Sequence, residues 1–494
     1  RCRRGSYVSK LRFLDLFAGC GGLSLGLQRA GLELAAAVER SPMAAETHFK
    51  NFHLRDEDWD EGLWTTVLAS AEEEGSHALQ VEFGTVVADV WDLLEDRKAM
   101  GKLGEAKGES APDVIVGGPP CQGFSMAGRR DPQDRRNQLP WAFLNFVKRL
   151  NPKAVVIENV AGINMAFASR GGIEPPFKLL KRELEETGKG YVVQSVEVNA
   201  RSFGIPQNRP RMMLLGFRKD LAVARRAESP RHSLDLWRSV DAFDAMSEGN
   251  DPAMGRLLVP EVGARTWGIA RKHELEAIEA LSDLSKSGYR KVDYRYAKFR
   301  YAAAMRRGMS RDLVSPPNHV LRRHSEHVVQ RFALYHFMAK MEIPTRVLGI
   351  RPDHASAQGA RSQIEQELRK AKYDPTSRLP NRRFVGPDDE TLADVIIRLS
   401  TRKHTQRVVP RKGPAPTVVT LPDDYIHPKE PRIMTVRELA RIQSFPDWFE
   451  FRSKETTGSH RRRVEVPQYS QVGNAVPPLM AEAIGDLLCE ALAY

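Results

Sequence analysis

The chain has 494 residues, 41% hydrophobic and 28% charged, with 4 cysteines; at roughly 100–200 residues per domain it holds more than one domain. Cys2, Cys20, Cys121 and Cys489 lie too far apart for a disulfide framework or a metal-ligand pair, and no apolar run reaches the ~18 residues of a membrane span, so collagen-like, disulfide-rich secreted and membrane-spanning classes are excluded. The formal net charge is +12, and residues 221–435 hold all of that surplus, with 38 basic against 26 acidic side chains.

A neutral body with one basic internal segment fits a protein whose one module meets a polyanion. The cysteine usage implies a reducing, cytoplasmic setting. The chain opens Arg1-Cys2-Arg3-Arg4 with no Met and no following apolar signal core. It reads as a piece of a longer chain.

The elements follow in order. Residues 11–18 read as a buried strand, broken by Gly19-Cys20-Gly21-Gly22; Leu23, Leu25, Leu27 and Ala30 then start a helix that Gly31 ends. Further strands are expected over 34–39, ending in Glu39, over 84–88, before Asp89, over 113–116, before Gly117-Gly118-Pro119-Pro120-Cys121, and over 154–157, before Glu158-Asn159-Val160. Two more span 191–198 and 211–217. Residues 95–110 are charged and Gly-rich and read as a loop. Strands alternating with helices mean α/β with a mostly parallel sheet, and such sheets place ligands at strand C-terminal ends. From about 221 the alternation stops. Residues 271–285 and 355–373 look helical, and 286–311 mix Lys and Arg with Tyr289, Tyr294, Tyr296, Phe299 and Tyr301. Order returns with helices over 436–442 and 481–492.

Three places carry candidate chemistry. The first strand, its Gly-rich turn and the helix form a nucleotide cradle or a plain tight turn; the spacing Gly19-x-Gly21-Gly22 matches neither the dinucleotide fingerprint nor a triphosphate loop. Glu39 could bind ribose hydroxyls, and Asp89 could accept from an adenine amine. Cys121, stiffened by two prolines at a strand end, is either a nucleophile or a buried thiol. Glu158 is a proton donor or a solvated acid. Gln207-Asn208-Arg209-Pro210-Arg211 brings two guanidiniums, for a site or for surface ion pairs.

These residues resemble one family. Asp15 to Gly22 resembles the first motif of cytosine-5 DNA methyltransferases, and Gly117 to Ser125 their catalytic Pro-Cys motif. Glu158-Asn159-Val160, Gln207-x-Arg209-x-Arg211, Arg437 to Pro446 and Gln471 to Pro478 resemble four more, in unpermuted order. The resemblance implies a Rossmann-like S-adenosylmethionine-dependent fold, with 1–220 plus 436–494 as the catalytic and cofactor domain and 221–435 as an inserted target-recognition domain of smaller, mixed structure. It implies that Cys121 attacks cytosine carbon 6 and that Glu158 hydrogen-bonds the ring. Arg209 and Arg211 would support the site, one reaching the base oxygen. Phe17, Gly19, Gly21, Glu39, Asp89, Pro119 and Asn474 would line the cofactor pocket. It also implies a flipped base in duplex DNA, because the ring is inaccessible in the stack.

Residues 123–137, with Arg129, Arg130, Arg135 and Arg136, look like the loop that closes on that base, or like a solvated loop. Arg382, Arg383, Arg402, Lys403, Arg411 and Lys412 are phosphate candidates. No metal is expected, and the protein is expected to be a monomer. Two departures stand out. Arg40 follows Glu39 where many relatives place a Trp, and the 221–435 segment is long for the family. Asn318-His319-Val320, Arg322 to Glu326 and Pro416 to Thr420 resemble stretches seen in relatives. Bacterial relatives of this kind protect host DNA in restriction or phage-defence systems, with any nuclease on a separate chain. Competing readings are an RNA methyltransferase, which the long basic insert disfavours, and a silent DNA-binding regulator, which the intact Cys121, Glu158 and arginines disfavour. Deleting 221–435 should abolish DNA binding and spare cofactor binding, if the body folds without it.

Overall fold

The computed structural model describes residues 10–55, 57–104, 111–120, 138–160, 176–221, 275–296, 299–310, 312–350, 357–377, 390–403, 405–458, 461 and 464–492. Its centre is a seven-stranded sheet. The strands are β1 (Arg12–Leu16), β2 (Glu33–Glu39), β3 (Thr85–Val87), β4 (Val114–Gly117), β5 (Ala154–Val160), β6 (Tyr191–Asn199) and β8 (Pro210–Arg218). A short β7 (Gln207–Asn208) lies outside it and pairs with Ala415–Pro416.

The order is β3-β2-β1-β4-β5-β8-β6. The pairs from β3 through β5 are parallel, while β8 runs antiparallel to both β5 and β6. Apolar runs make this possible. β1 and β4 are covered on both faces, so their side chains split by the period of two. Phe13, Val114 and Val116 point into one core, with the helix α1 (Gly22–Ala30) and the closing helix Pro478–Leu492. Leu14, Leu16 and Ile115 point into the other, with the helix Leu139–Leu150. The closing helix therefore packs on the first helix of the chain. It sits close: a Cβ on Gly26 would fall 2.3 Å from Ala481 Cβ.

Two expectations need correction. Within 95–110 the described part holds a helix, Arg97–Lys102. Asp96 caps it, accepting from Ala99 N at 3.0 Å, so the charged residues sit on an exposed helical turn. Within 271–285 the described helix is only Ala277–Ala280, and Leu284–Ser285 then pairs with Gly288–Tyr289 as a hairpin. The expected helix near 355–373 is present as Ala357–Lys370.

The basic segment is not walled off. Phe332, Leu334, Ile364, Leu392 and Ile396 form a core of their own. Ala277, Leu281, Tyr301, Met305, Val418 and Met434 instead join the core of the body. The tyrosines of 289–301 turn inward with them. Tyr289 OH donates to Asp447 at 2.6 Å, Tyr294 OH to Asp283 at 2.7 Å, and Tyr301 OH to Arg441 O at 2.7 Å. Of this group Tyr296 stays exposed.

Candidate active site

The crevice is built at the C-terminal ends of β1, β2, β4 and β5. β1 ends in a turn that ordinary residues adopt reluctantly: Phe17 has φ 61, Gly19 φ 57 and Gly21 φ 96. At Gly21 space forbids a side chain as well, since a Cβ would lie 2.4 Å from Phe52 Cε2. At Gly19 a Cβ would meet nothing within 4 Å, so the turn is open on that side. The backbone there faces a space that a ligand can enter.

Glu39 closes the turn from the end of β2. One carboxylate oxygen accepts from Gly19 N at 3.0 Å and the other from Ser41 N at 2.7 Å. Each oxygen keeps a further lone pair. Burial pushes this carboxyl upward, and the Ser41, Gly19 and Arg40 amides oppose the shift. Asp89, beyond β3, accepts from Trp91 N at 3.0 Å as the cap of the next helix. Its second oxygen lies 3.7 Å from Arg40 Nη1, so Arg40 leans on the acid.

Beneath the turn Asp15 is buried. Its Oδ2 accepts from Ser24 Oγ at 2.6 Å, and Oδ1 has no hydrogen-bond partner. Burial pushes the Asp15 carboxyl up to about 7, against the Ser24 hydrogen bonds. The sign follows. Between the unfolded value of 3.8 and about 7 the folded chain holds a proton that the unfolded chain has lost, so this group weakens folding as pH rises through that window. Asp15→Asn cannot titrate. Relative to wild type its stability should rise by about 2–3 kcal/mol between pH 5 and 8, at 1.36 kcal/mol per pKa unit. Urea unfolding at the two pH values reads this, and parallel pH curves would refute the assignment.

The reacting edge lies one strand further. Gly117 ends β4 and Gly118 follows it where side chains would crowd their neighbours. A Cβ at 117 would lie 2.3 Å from Leu16 O, and one at 118 would lie 3.0 Å from Glu158 Oε2. Glu158 thus occupies the space beside the Pro-Pro turn. Asn159 Nδ2 donates to Pro119 O at 2.9 Å and ties that turn to β5. Glu158 Oε1 meets Arg211 Nε at 2.7 Å, and the two side chains are 12% and 10% exposed.

Arg209 has a different place. It is 1% exposed and donates to Val418 O at 3.0 Å, Gly473 O at 2.9 Å and Ala475 O at 3.0 Å. Burial drives its pKa down, and Arg211 adds to that. It clamps Pro416–Thr420 to the Gln471–Pro478 stretch. Gln207 adds to the clamp, accepting from Val418 N at 2.8 Å and donating to Gln443 Oε1 at 2.7 Å. Asn474 ends the helix Gln468–Asn474 with its side chain exposed.

The structure therefore brings Phe17, Gly19, Gly21, Glu39, Asp89, Pro119, Glu158 and Arg211 to one edge. Cys121, Arg129, Arg130, Arg135, Arg136, Arg382 and Arg383 lie outside the described residues. Arg402 is exposed, and Lys403 pairs with Asp423. Sequence reasoning gave no role to Asp15, Ser24 or Asn159. The first and last stand inside quoted motifs, which was the available signal.

A parallel sheet carrying the antiparallel strand β8, with a Gly-rich turn after β1 and an acid ending β2, is consistent with a Rossmann-like fold of the S-adenosylmethionine-dependent methyltransferase kind. The chain belongs to the C-5 cytosine-specific DNA methylase family, whose model matches residues 11–63 and 88–490. The chain is 28% identical over 480 residues to the type II methyltransferase M.DdeI of Desulfomicrobium norvegicum, covering 96% of this chain and 88% of that one. It is 28% identical over 483 residues to M.XorII of Xanthomonas oryzae pv. oryzae, with 97% and 84% covered. Its fold resembles a crystal structure described as a candidate DNA modification methyltransferase encoded within an E. coli prophage, at TM-score 0.54 and 21% identity, covering 98% of this chain and 100% of that one. The protein is a DNA cytosine-5 methyltransferase. No helix among the described residues is long and apolar enough to cross a membrane.

Proposed function

We propose that the protein methylates carbon 5 of a cytosine in one specific duplex DNA sequence, through a covalent adduct on Cys121 with the base flipped out of the helix. The carrying observation is the Glu158–Arg211 pair, held at 2.7 Å beside the Pro119-Pro120 turn that leads to Cys121. S-adenosylmethionine supplies an electrophilic methyl group when bound. Glu39, with a spare lone pair on each oxygen, would hold its ribose hydroxyls, and the open side of Gly19 would leave room for it. Phe17, Gly21, Asp89, Pro119 and Asn474 would complete that pocket.

Cytosine is a poor electrophile. In this reading the Cys121 thiolate forms a bond to carbon 6 while Glu158, in its acid form, donates its proton toward ring nitrogen 3, so the negative charge entering the ring is balanced. Arg211 fixes the Glu158 carboxylate and can reach the base oxygen, while Arg209 acts from behind by fixing the backbone. Carbon 5 then takes the methyl group. Loss of the carbon 5 proton expels the Cys121 sulfur and restores the ring. Flipping costs a few kcal/mol, which Arg129, Arg130, Arg135 and Arg136 would help to offset.

Residues 1–220 with 436–494 would form the catalytic and cofactor domain, and 221–435 the recognition domain. Arg382, Arg383, Arg402 and Lys403 would meet backbone phosphate. The biological role proposed is protection of host DNA from a separate restriction or defence nuclease in the bacterial cytoplasm.

Labelled methyl groups should pass to duplex DNA and not to transfer RNA, and bisulfite sequencing of DNA from expressing cells should show one recurring sequence. DNA carrying 5-fluorocytosine should trap a covalent complex, because fluorine cannot leave as a proton does. Transfer to RNA alone, or to neither, would overturn the reading.

A further inference from the structure

A second charged cleft opens at the opposite edge of the sheet. Lys10 precedes β1, Glu33 begins β2, and Arg29 lies in the last turn of α1. All three sit where the strands start, whereas the Gly19 turn and Glu158 sit where strands end. The length of a strand, roughly 15–20 Å at 3.3 Å per residue, separates the two edges.

The cleft has a volume of about 550 Å³, within the range of small-molecule sites. Among the described residues four cations line it, Lys10, Arg29, Arg55 and Arg307, with one acid in the lining, Glu33, and Glu482 behind Arg29. They arrive from four separate stretches of chain, so no one helix face explains the gathering. Arg307 comes from the basic segment and the others from the body. Trp448 forms one wall, with Arg55 Cζ 4.2 Å from its ring centroid. Gly308, at φ +95, brings the chain within reach of the same ring, where a Cβ would lie 3.2 Å from Trp448 Cδ1. Arg29 is oriented from behind by Glu482, buried at 0% exposure, through a 3.3 Å ion pair.

Burial acts most against the charged form of Arg29, Glu482 supports it, and the fields of Arg307 and Arg55 act against it, as like charges gathered in a cleft do. Such an arrangement is relieved by an anion. Guanidinium forks and an ammonium match the geometry and charge of phosphate oxygens. A duplex engaged at the catalytic edge would not lie across this one. We propose that this cleft binds a small phosphate-bearing anion, with inorganic pyrophosphate as its simplest form, at a site separate from the methyl-transfer crevice.

Calorimetric titration of the full chain with pyrophosphate tests this. Wild type should bind one equivalent. Arg55→Gln with Arg307→Gln should weaken binding at least about tenfold, the loss expected from removing charge-assisted bonds. Glu33→Gln should tighten it by about threefold or more, because the carboxylate in the lining is gone. These side chains are exposed, so the variants should fold, and methyl transfer should be unchanged in all of them. No binding by wild type would overturn the proposal, as would equal binding by wild type and the double variant. DNA backbone is the other source of phosphate. A salt dependence of duplex binding that flattens by about 0.9 in log–log slope per lost contact in the double variant would assign the cleft to DNA instead, and would also overturn it.

Discussion

Glu158→Gln should lower the rate of methyl transfer by about 10²–10⁴, the usual worth of a positioned acid–base group, while cofactor affinity stays within about twofold. Glutamine keeps the size of the side chain and one acceptor oxygen. It loses the charge that pairs with Arg211 Nε at 2.7 Å. In the proposed chemistry the proton that Glu158 shares with ring nitrogen 3, which glutamine cannot give up, is needed only as the ring is attacked. The loss should therefore fall on kcat more than on KM. Arg211→Lys keeps a cation but not the fork that fixes the carboxylate. If the two residues act as one unit, the double variant should cost little more than the worse single one. Single-turnover transfer measures this, with Cys121→Ser, expected to remove transfer altogether, as the floor. A Glu158→Gln enzyme with normal kcat and a raised KM would sink the role.

The catalytic edge was legible because its signals are local. Strands buried on both faces read as unbroken apolar runs, the glycines at 21, 117 and 118 stand where backbone passes close to something, and Gly19 takes a left-handed turn in open space. The supporting contacts were not legible, because their partners are far apart in sequence. Arg209 reaches carbonyls at 418, 473 and 475, and nothing near 209 announces them. Asn159 holds Pro119 across a neighbouring strand. The helix Arg97–Lys102 was missed for a different reason: its charged, Gly-containing sequence resembles a loop, and the deciding residue is its cap, Asp96.

Counting charge likewise located the basic surplus without saying which charges are free. Within 221–435, Arg432 pairs with Glu438, and Asp283 is buried against Arg441 in the body. That last contact changes the deletion expectation. The body core includes Tyr301, Met305 and Val418, so removing 221–435 would open it. Cofactor binding after such a deletion is no measure of independence. Neutralising the exposed Arg402 is the cleaner test of phosphate contact.

Arg441→Met should destabilise the protein by about 3–5 kcal/mol, the cost of leaving a buried charge without its partner. Arg441 is fully buried and donates to Asp447 Oδ1 at 2.8 Å, Asp447 Oδ2 at 2.6 Å, Asp283 Oδ1 at 2.5 Å and Ala280 O at 2.9 Å. Burial alone would lower its pKa, but the two carboxylates more than reverse this, so the guanidinium stays charged. Tyr289 and Tyr294 donate to the same two acids, which leaves two anions sharing one cation and two hydroxyls. Removing Arg441 strands both. Arg441→Lys should fall between, since an ammonium cannot serve both acids and the carbonyl with the same geometry. Adding Asp283→Asn and Asp447→Asn to Arg441→Met should recover part of the loss, because neutral amides still accept from the tyrosines and no charge is left buried. Urea unfolding of the four proteins reads the order. A loss below about 1 kcal/mol for Arg441→Met, the range of an exposed pair, would mean that the cluster is open to water and does not join the basic segment to the body.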